Sequence, residues 1–195
     1  GNIALIQIDS KSLAELGPFQ SWPRTYMADV INILNSDINV KPAVIGVDIM
    51  YFGTTTEEAD NALVNACSNA GNVVAGSLVN FGSVLVDDGN GNFYMDNSYI
   101  KQVEEPYDAL KNVTKYGHLN TKVDIDGVVR KSMNHINLPN GQRLNSFAFE
   151  IYKMYTEKNK KEVNYNIPLD ENGEFYIPYS AKVGGYSDGF SFVDV

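Results

Sequence analysis

Residues 3–9 (IALIQID) and 43–48 (AVIGVD) are two short apolar runs that each end in an aspartate. The segment between them carries Met27, Val30 and Ile31 at helical spacing, which is typical of a helix that packs one face against a sheet. A strand, a helix and a second strand in this order predict a βαβ unit with parallel strands.

Two further elements extend this unit. Thr55 and Glu58 have the spacing of a capping box, and the apolar repeat that follows them ends at Gly71. Residues 73–79 then form an apolar run that predicts a third, buried strand. We therefore predict an N-terminal β-α-β-α-β parallel sheet flanked by helices.

Polar turns between strand-like residues predict antiparallel hairpins in the C-terminal half of the chain. Ser146 is placed to cap a helix among them. The fold class is therefore α/β, in one domain spanning residues 1–195. The predicted turns lie at residues 87–92, at Asp126-Gly127, and at residues 170–173 between strands at 163–167 and 174–179.

Composition limits the classes of function. A chain of 195 residues with a net charge of −9 and a pI of about 4.6 is electrostatically opposed to nucleic acid and to anionic membrane surfaces. Cys67 is the single cysteine and lies on the apolar side of a predicted helix, so we interpret it as a small buried hydrophobe. No run of residues approaches the ~18 apolar residues of a membrane span.

A set of ordered landmarks is spread over nearly the whole chain, and the order is more specific than any one of them. Together they resemble the second type of CHASE domain, an extracellular sensory module associated with bacterial cyclases and histidine kinases. The landmarks include Trp22-Pro23-Arg24, Gly46-Val47-Asp48-Ile49, Gly117-His118-Leu119-Asn120, Asp126-Gly127-Val128-Val129-Arg130 and the closing residues 190–195 (FSFVDV).

The resemblance implies a bacterial transmembrane receptor with this domain on the extracytoplasmic face of the membrane. It implies flanking membrane helices, a homodimeric parent receptor, an unknown small-molecule or environmental cue, and a cytoplasmic cyclase, diguanylate cyclase or kinase as the output. The family pattern usually continues past the position of Val195 with an apolar strand. We therefore expect an excised domain that lacks a final strand and has an exposed or substituted sheet edge.

The two aspartates that end the first strands define the candidate site. Ligands of open parallel sheets bind beyond the carboxyl ends of the strands, so Asp9 and Asp48 should flank one crevice if their strands are neighbours. At about 5 Å and an effective dielectric of ~20, their repulsion would be about 3 kcal/mol. A divalent cation, a nearby Arg24 or Arg130, or backbone N–H groups at the following helix starts could offset it.

Two arginines complete the set of ligand-binding candidates, which is Asp9, Arg24, Asp48, Asp126 and Arg130. Arg24 lies in the first turn of a helix, where a cation opposes the helix dipole, which indicates either a carboxylate partner or an anionic ligand. Arg130 follows the Asp126-Gly127 turn, and Asp126 is expected to shape that turn. If any metal binds, Asp9 and Asp48 are its expected ligands.

Catalytic motifs are absent from the sequence. His118 and His135 lie in no zinc or hydrolase motif, and we expect each to face solvent or to be satisfied in the core. The turn that starts at Asp88 resembles a calcium loop but lacks its glycine and its final glutamate. The sequence therefore predicts a sensor without catalytic residues or a cofactor. An aspartate-based, divalent-metal-dependent hydrolase and a structural dimerisation module are the alternatives.

Overall fold

The computed structural model of the protein describes residues 3–171, 173–179 and 188–195, and the α/β class is confirmed within these ranges. Parallel ladders in the N-terminal part and antiparallel hairpins further along are both present. The elements are β1 (Ala4–Gln7), α1 (Ser10–Leu16), α2 (Arg24–Leu34), β2 (Ile45–Val47), α3 (Glu57–Ala70), β3 (Val73–Asp87), β4 (Phe93–Glu104), α4 (Asp108–Lys111), β5 (Lys115–His118), β6 (Lys131–Met133), β7 (His135–Asn137), β8 (Arg143–Asn145), α5 (Phe147–Lys158), β9 (Glu174–Tyr176) and β10 (Asp188–Ser191).

The chain forms two compact units. The first unit contains Gly1–Pro42, Thr55–Ala70 and Ile177–Val195, and therefore the elements β1, α1, α2, α3 and β10. The second unit contains Ala43–Thr54 and Gly71–Tyr176, and therefore all the other strands and helices. No helix in the described ranges has both the length and the apolar character needed to cross a bilayer.

In the first unit, β1 forms a parallel ladder with β10, in which Ala4 is level with Asp188 and Gln7 is level with Ser191. The hydrogen-bonded partner of the first strand therefore comes from the other end of the chain. The indole of Trp22 packs beside the Phe192 ring, with the ring centroids 5.2 Å apart, and donates to the carbonyl of Gly17 at 2.8 Å. These contacts attach the C-terminal residues to the segment that leads into α2.

Helices α2 and α3 pack against each other in the first unit. Ile31 of α2 and Leu63 of α3 are fully buried, as the helical spacing predicts. Cys67 is buried as expected, and its burial raises the pKa of the thiol to about 12. The predicted capping box at Thr55 and Glu58 is wrong, because Thr56 accepts the hydrogen bond from the Ala59 amide and Thr55 is engaged elsewhere. Ala59 has no side-chain oxygen with which to complete a box around Thr56.

The second unit is built on β3. Parallel ladders join β3 to β2 on one side and to β5 on the other, with Val47 level with Ala75 and Ser77 level with His118. The strand predicted at 73–79 then continues to Asp87, because β4 pairs with it in the predicted antiparallel hairpin. The strand is therefore more than twice as long as its apolar core.

Helix α5 lies unusually close to this sheet, because glycines occupy the positions beneath it. A Cβ added to Gly117 would lie 2.7 Å from the backbone nitrogen of Phe147, and one added to Gly46 would lie 2.5 Å from the Ile151 side chain. A Cβ at Gly117 would therefore require a shift of the helix backbone, whereas one at Gly46 would require the Ile151 side chain to move. The predicted cap of α5 is confirmed, since the Ser146 hydroxyl accepts from the Phe149 amide at 3.2 Å.

The last predicted hairpin is wrong. Residues 163–167 form no strand, and β9 pairs instead with β6, with Phe175 level with Ser132. Local turns use the backbone donors of this segment, since the Asn166 amide donates to the Asn164 side chain and the Ile167 amide to the Tyr165 carbonyl. Such local bonds compete with a strand ladder for the same groups.

Candidate functional site

The carboxyl ends of β2 and β5 lie at one edge of the parallel ladders, on either side of the middle of β3. Asp48 directly follows β2, and the register sets Ser77 of β3 level with His118 at the end of β5. This is the edge at which parallel sheets bind ligands. We call Asp48, Ser77 and His118 the strand-end site.

Asp48 is the exposed member of the strand-end site. Among the described residues its carboxylate has neither a hydrogen-bond partner nor an ion-pair partner. A charged side chain that no internal contact requires is available to a molecule from solvent. Of the sequence-predicted candidates, Asp48 is therefore the one whose position the fold does not account for.

Ser77 and His118 are the buried members, with exposures of 0% and 2%. Parallel neighbours in register lie about 4.8 Å apart and point to the same face of the sheet. Within the part of the chain that the structure describes, the Ser77 hydroxyl and both ring nitrogens of His118 have no hydrogen-bond partner. Each such buried polar atom costs about 1–3 kcal/mol, so a cluster of three requires an explanation.

The environment holds His118 neutral. Burial, together with a smaller effect of the nearby His135, lowers the pKa of its imidazole to about 4. Burial also lowers the pKa of His135, and Arg143 contributes to that shift. At neutral pH His118 therefore offers one N–H donor and one nitrogen acceptor, and the Ser77 hydroxyl can serve as either.

Asp9 is held within the first unit by three short contacts. Its carboxylate accepts from the amide of Ser12 at 2.9 Å and from the hydroxyls of Ser12 and Ser191 at 2.8 Å each, and it caps α1. The amide hydrogen bond is the largest cause of the lowered pKa of Asp9. Of the three predicted ways to stabilise this carboxylate, backbone donation at a helix start is the one observed.

The pairing of Asp9 with Asp48 stays a prediction. Asp9 belongs to the first unit and Asp48 to the second, and their strands have separate ladder partners, β10 and β3. Within the described residues, no group of three or more histidine, cysteine, aspartate or glutamate side chains is arranged to hold a metal ion.

Arg24 has the carboxylate partner that its position in α2 predicts. Its Nη1 donates to Oδ1 of Asp60 in α3 at 2.6 Å, and both side chains are nearly inaccessible to solvent. Burial alone would raise the pKa of Asp60, but donation from the hydroxyl and amide of Thr55 and the charge of Arg24 lower it below its usual value. This pair joins α2 to α3.

Arg130 is bound to its own turn. It makes two contacts with Asp126, at 2.9 Å and 2.7 Å, and one with Asp124 at 2.8 Å. Asp126 also accepts from the Val128 amide at 3.2 Å, which confirms that it shapes the turn. Gly127 has a φ of 82°, a conformation that favours glycine there.

The calcium-like turn uses its own carboxylate as well. Asp88 accepts hydrogen bonds from the amides of Asn90 and Asn92 and from the Asn92 side chain, and the Asn92 side chain is the largest cause of its lowered pKa. This arrangement explains why the turn is rich in aspartate and asparagine without recourse to an ion.

Sequence reasoning missed Ser77 and placed no function on His118. His118 was expected to face solvent or to be satisfied in the core, whereas it is buried and has no partner among the described residues. One signal was available, because Ser77 is the only hydroxyl in the apolar run at 73–79. A polar residue at the centre of a buried strand is the exception that indicates a site.

Comparison with known protein families assigns this chain to a family. A family model described as CHASE2 domain matches residues 1–195, which is the whole chain. The CHASE2 family consists of sensory domains found in receptors. Neither the curated proteins nor the solved structures contain a match to this chain.

The Arg24–Asp60 contact predicts a large asymmetry between two aspartate variants. Asp60→Asn removes the negative charge beside a buried guanidinium and should lower the free energy of unfolding by about 3–5 kcal/mol. Asp126→Asn removes a negative charge from an exposed pair and should lower the free energy of unfolding by about 1 kcal/mol or less. Urea denaturation of both variants measures the difference. Equal, small losses would show that the buried pair does not hold α2 to α3.

The neutral His118 predicts a specific dependence of stability on pH. An unfolded histidine binds its proton near pH 6.5 but the folded one only near pH 4, so acidification between these values favours the unfolded chain. Proton binding by His118 in the unfolded chain should lower the free energy of unfolding by about 3 kcal/mol at pH 4 and should have no effect above about pH 7.

The variant His118→Gln, which has no proton to bind, isolates this contribution. Its free energy of unfolding should fall less than that of the wild type between pH 6.5 and 4, as measured by urea denaturation at each pH. His135→Gln is the comparison variant and should flatten the curve less, since His135 is only partly buried. Wild-type and His118→Gln curves that run parallel through this window would contradict the prediction.

Proposed function

We propose that this chain, which belongs to the CHASE2 family, is the extracytoplasmic sensory domain of a bacterial transmembrane receptor. The observation that carries the proposal is the match of the family model to all 195 residues. In this proposal flanking membrane helices tether the domain, and the parent receptor is a homodimer that regulates a cytoplasmic cyclase, diguanylate cyclase or kinase. The domain itself carries no catalytic step.

The strand-end site is the proposed place at which the cue is recognised. Asp9, Arg24 and Arg130 each have close partners within the protein, so their charges are already accounted for. Asp48 has no such partner among the described residues and is exposed at the strand ends. This contrast supports Asp48 as the contact for a ligand with hydrogen-bond donors or a positive charge.

Ser77 and His118 support a second part of the proposal, which concerns signalling. Their polar atoms are buried, so a ligand that bonds to them must first displace the side chains that cover them. Binding would then select a more open state of the domain over the closed one. A ~100-fold preference for the open state supplies about 2.7 kcal/mol toward a change in the membrane helices.

A ligand screen tests the sensory function. Thermal unfolding of the 195-residue chain is measured with pooled metabolites, Mg²⁺, Ca²⁺ and a chelator. A true ligand at 100 times its Kd should raise the Tm by about 5–10 °C. Asp48→Asn should abolish most of that shift, whereas Asp108→Asn, which changes a carboxylate that is 97% exposed in α4, should leave it intact. Metal-dependent phosphatase or esterase turnover that requires Asp9 would replace the sensory function with the hydrolase alternative.

The location is tested on the parent receptor in bacterial cells. Alkaline phosphatase, which is active only outside the cytoplasm, is joined after Val195, and β-galactosidase is joined there in a parallel fusion. The proposal predicts an active phosphatase fusion and an inactive galactosidase fusion. The opposite pattern would place the domain in the cytoplasm and contradict the proposal.

A further inference from the structure

The outer half of the β3–β4 hairpin, residues 81–100, has an unusual surface, and we call it the arm. Its strands have no ladder partner other than each other within the described residues, because β2 and β5 pair only with the first part of β3. Both faces of the arm expose large apolar side chains, between 38% and 63% accessible. They are Phe81, Val84, Leu85, Phe93, Tyr94, Met95 and Tyr99.

The register sorts these side chains onto the two faces. Leu85 lies opposite Met95, and Asp87 lies opposite Phe93, which sets three apolar side chains together on one face. Val86 lies opposite Tyr94 on the other face. An isolated two-stranded ribbon is marginally stable in water, and exposed strand edges promote association. The arm therefore has the properties of a surface that another molecule covers.

The area of one face of the arm can be compared with that of a protein interface. A large side chain buries roughly 150–250 Å² when fully covered, so the three apolar side chains on the Leu85 face, at somewhat more than half exposure, offer roughly 300 Å². A stable interface buries about 800 Å² on each partner. The apolar side chains of this face therefore supply roughly a third of the area that a dimer of this chain needs, and the polar side chains beside them add to it.

The charges on the arm distinguish between possible occupants. Asp87, Asp88 and Asp96 are its charged residues, and it contains no lysine or arginine. A surface that inserts into an anionic membrane needs basic residues, so the arm is unsuited to that role. Lys101, which is exposed, follows directly at the base of the arm. Glu104 and Glu105 also lie near the base, and Glu105 is paired with Lys111. Among the described residues at the base, Lys101 is therefore the one cation that could meet the acidic tip of a second arm when two arms lie antiparallel.

From these observations we propose that two copies of this chain pair through their arms about a two-fold axis. The apolar faces pack together, and the Asp87 and Asp88 tip of each arm lies beside Lys101 of the other copy. Such a contact is self-complementary and closes as a dimer. The inference rests on the homodimer in the proposed function and names the surface that forms it.

Sedimentation equilibrium of the chain between about 1 and 100 μM tests the proposal, with circular dichroism to confirm that each variant is folded. The wild type should form a dimer, and Leu85→Glu with Met95→Glu should weaken it at least 100-fold. Ile125→Glu changes a fully exposed apolar residue outside the arm and should leave the dimer unchanged. A dimer that persists in the double variant, or a wild type that is monomeric at 100 μM, would overturn the proposal.

Charge exchange tests the antiparallel arrangement without altering the apolar residues of the arm. Lys101→Glu alone should weaken the dimer at least 10-fold, and an equimolar mixture with Asp87→Lys/Asp88→Lys should restore association between the two variants. No restoration in the mixture would overturn the antiparallel contact.

Two further outcomes separate the possible failures. If the wild type is monomeric and its arm binds it to phosphatidylcholine vesicles in a flotation assay, the occupant of the arm is a membrane and not a second copy of the chain. A ligand-dependent rise in Tm that survives in a monomeric arm variant would leave the sensory function standing, whatever the fate of the dimer proposal.

Discussion

Parallel pairing of β3 with β2 and β5 is the constraint on which the second unit depends. It brings the ends of strands from distant parts of the sequence to one edge and thereby creates the strand-end site. It also requires a close cover on one face, which α5 provides because Gly117 leaves room for its backbone and Gly46 for its Ile151 and Phe147 side chains. The same strand then leaves the parallel ladders and continues as one side of the arm. One long strand therefore joins the two surfaces to which we attribute recognition and association.

The charged and polar residues that bear on the candidate site fall into two groups, according to whether contacts within the fold explain their positions. Arg24 and Asp60 are buried together, and Arg130 and Asp126 stabilise an exposed turn. Such contacts explain the positions of these residues through the stability of the fold. Asp48 has no comparable explanation, and His118 and Ser77 carry a cost in stability that the fold does not require. Proteins retain such costs where the residues have a role beyond folding.

Local sequence patterns predicted the helices and strands of the fold better than they predicted which strands pair with each other. The helices at Arg24–Leu34 and Phe147–Lys158 follow from apolar spacing and from a capping residue, which act within a few positions. The ladder between β1 and β10 joins residues more than 180 positions apart, and no local pattern encodes such a partner. The failed strand at 163–167 has the same origin, because β9 finds a better partner in β6.

The candidate site shows the same division. Asp48 was found because an aspartate at the end of an apolar strand is a local signal, and a carboxylate partner for Arg24 was expected from the helix dipole. The sequence did not identify that partner, because any of the 24 acidic residues could have supplied the carboxylate. The importance of His118 depends on whether its nitrogens find partners, which is a property of the tertiary structure alone.

The burial of Cys67 has a practical and a biological consequence. Only the thiolate reacts with oxidants and disulfides, and a pKa of about 12 leaves almost none of it at neutral pH. With 1% of its surface accessible, the sulfur is also out of reach of glutathione. The native thiol is therefore inert toward thiol–disulfide exchange in the folded domain, and a cysteine introduced on the surface would be the one thiol to which a spectroscopic probe attaches.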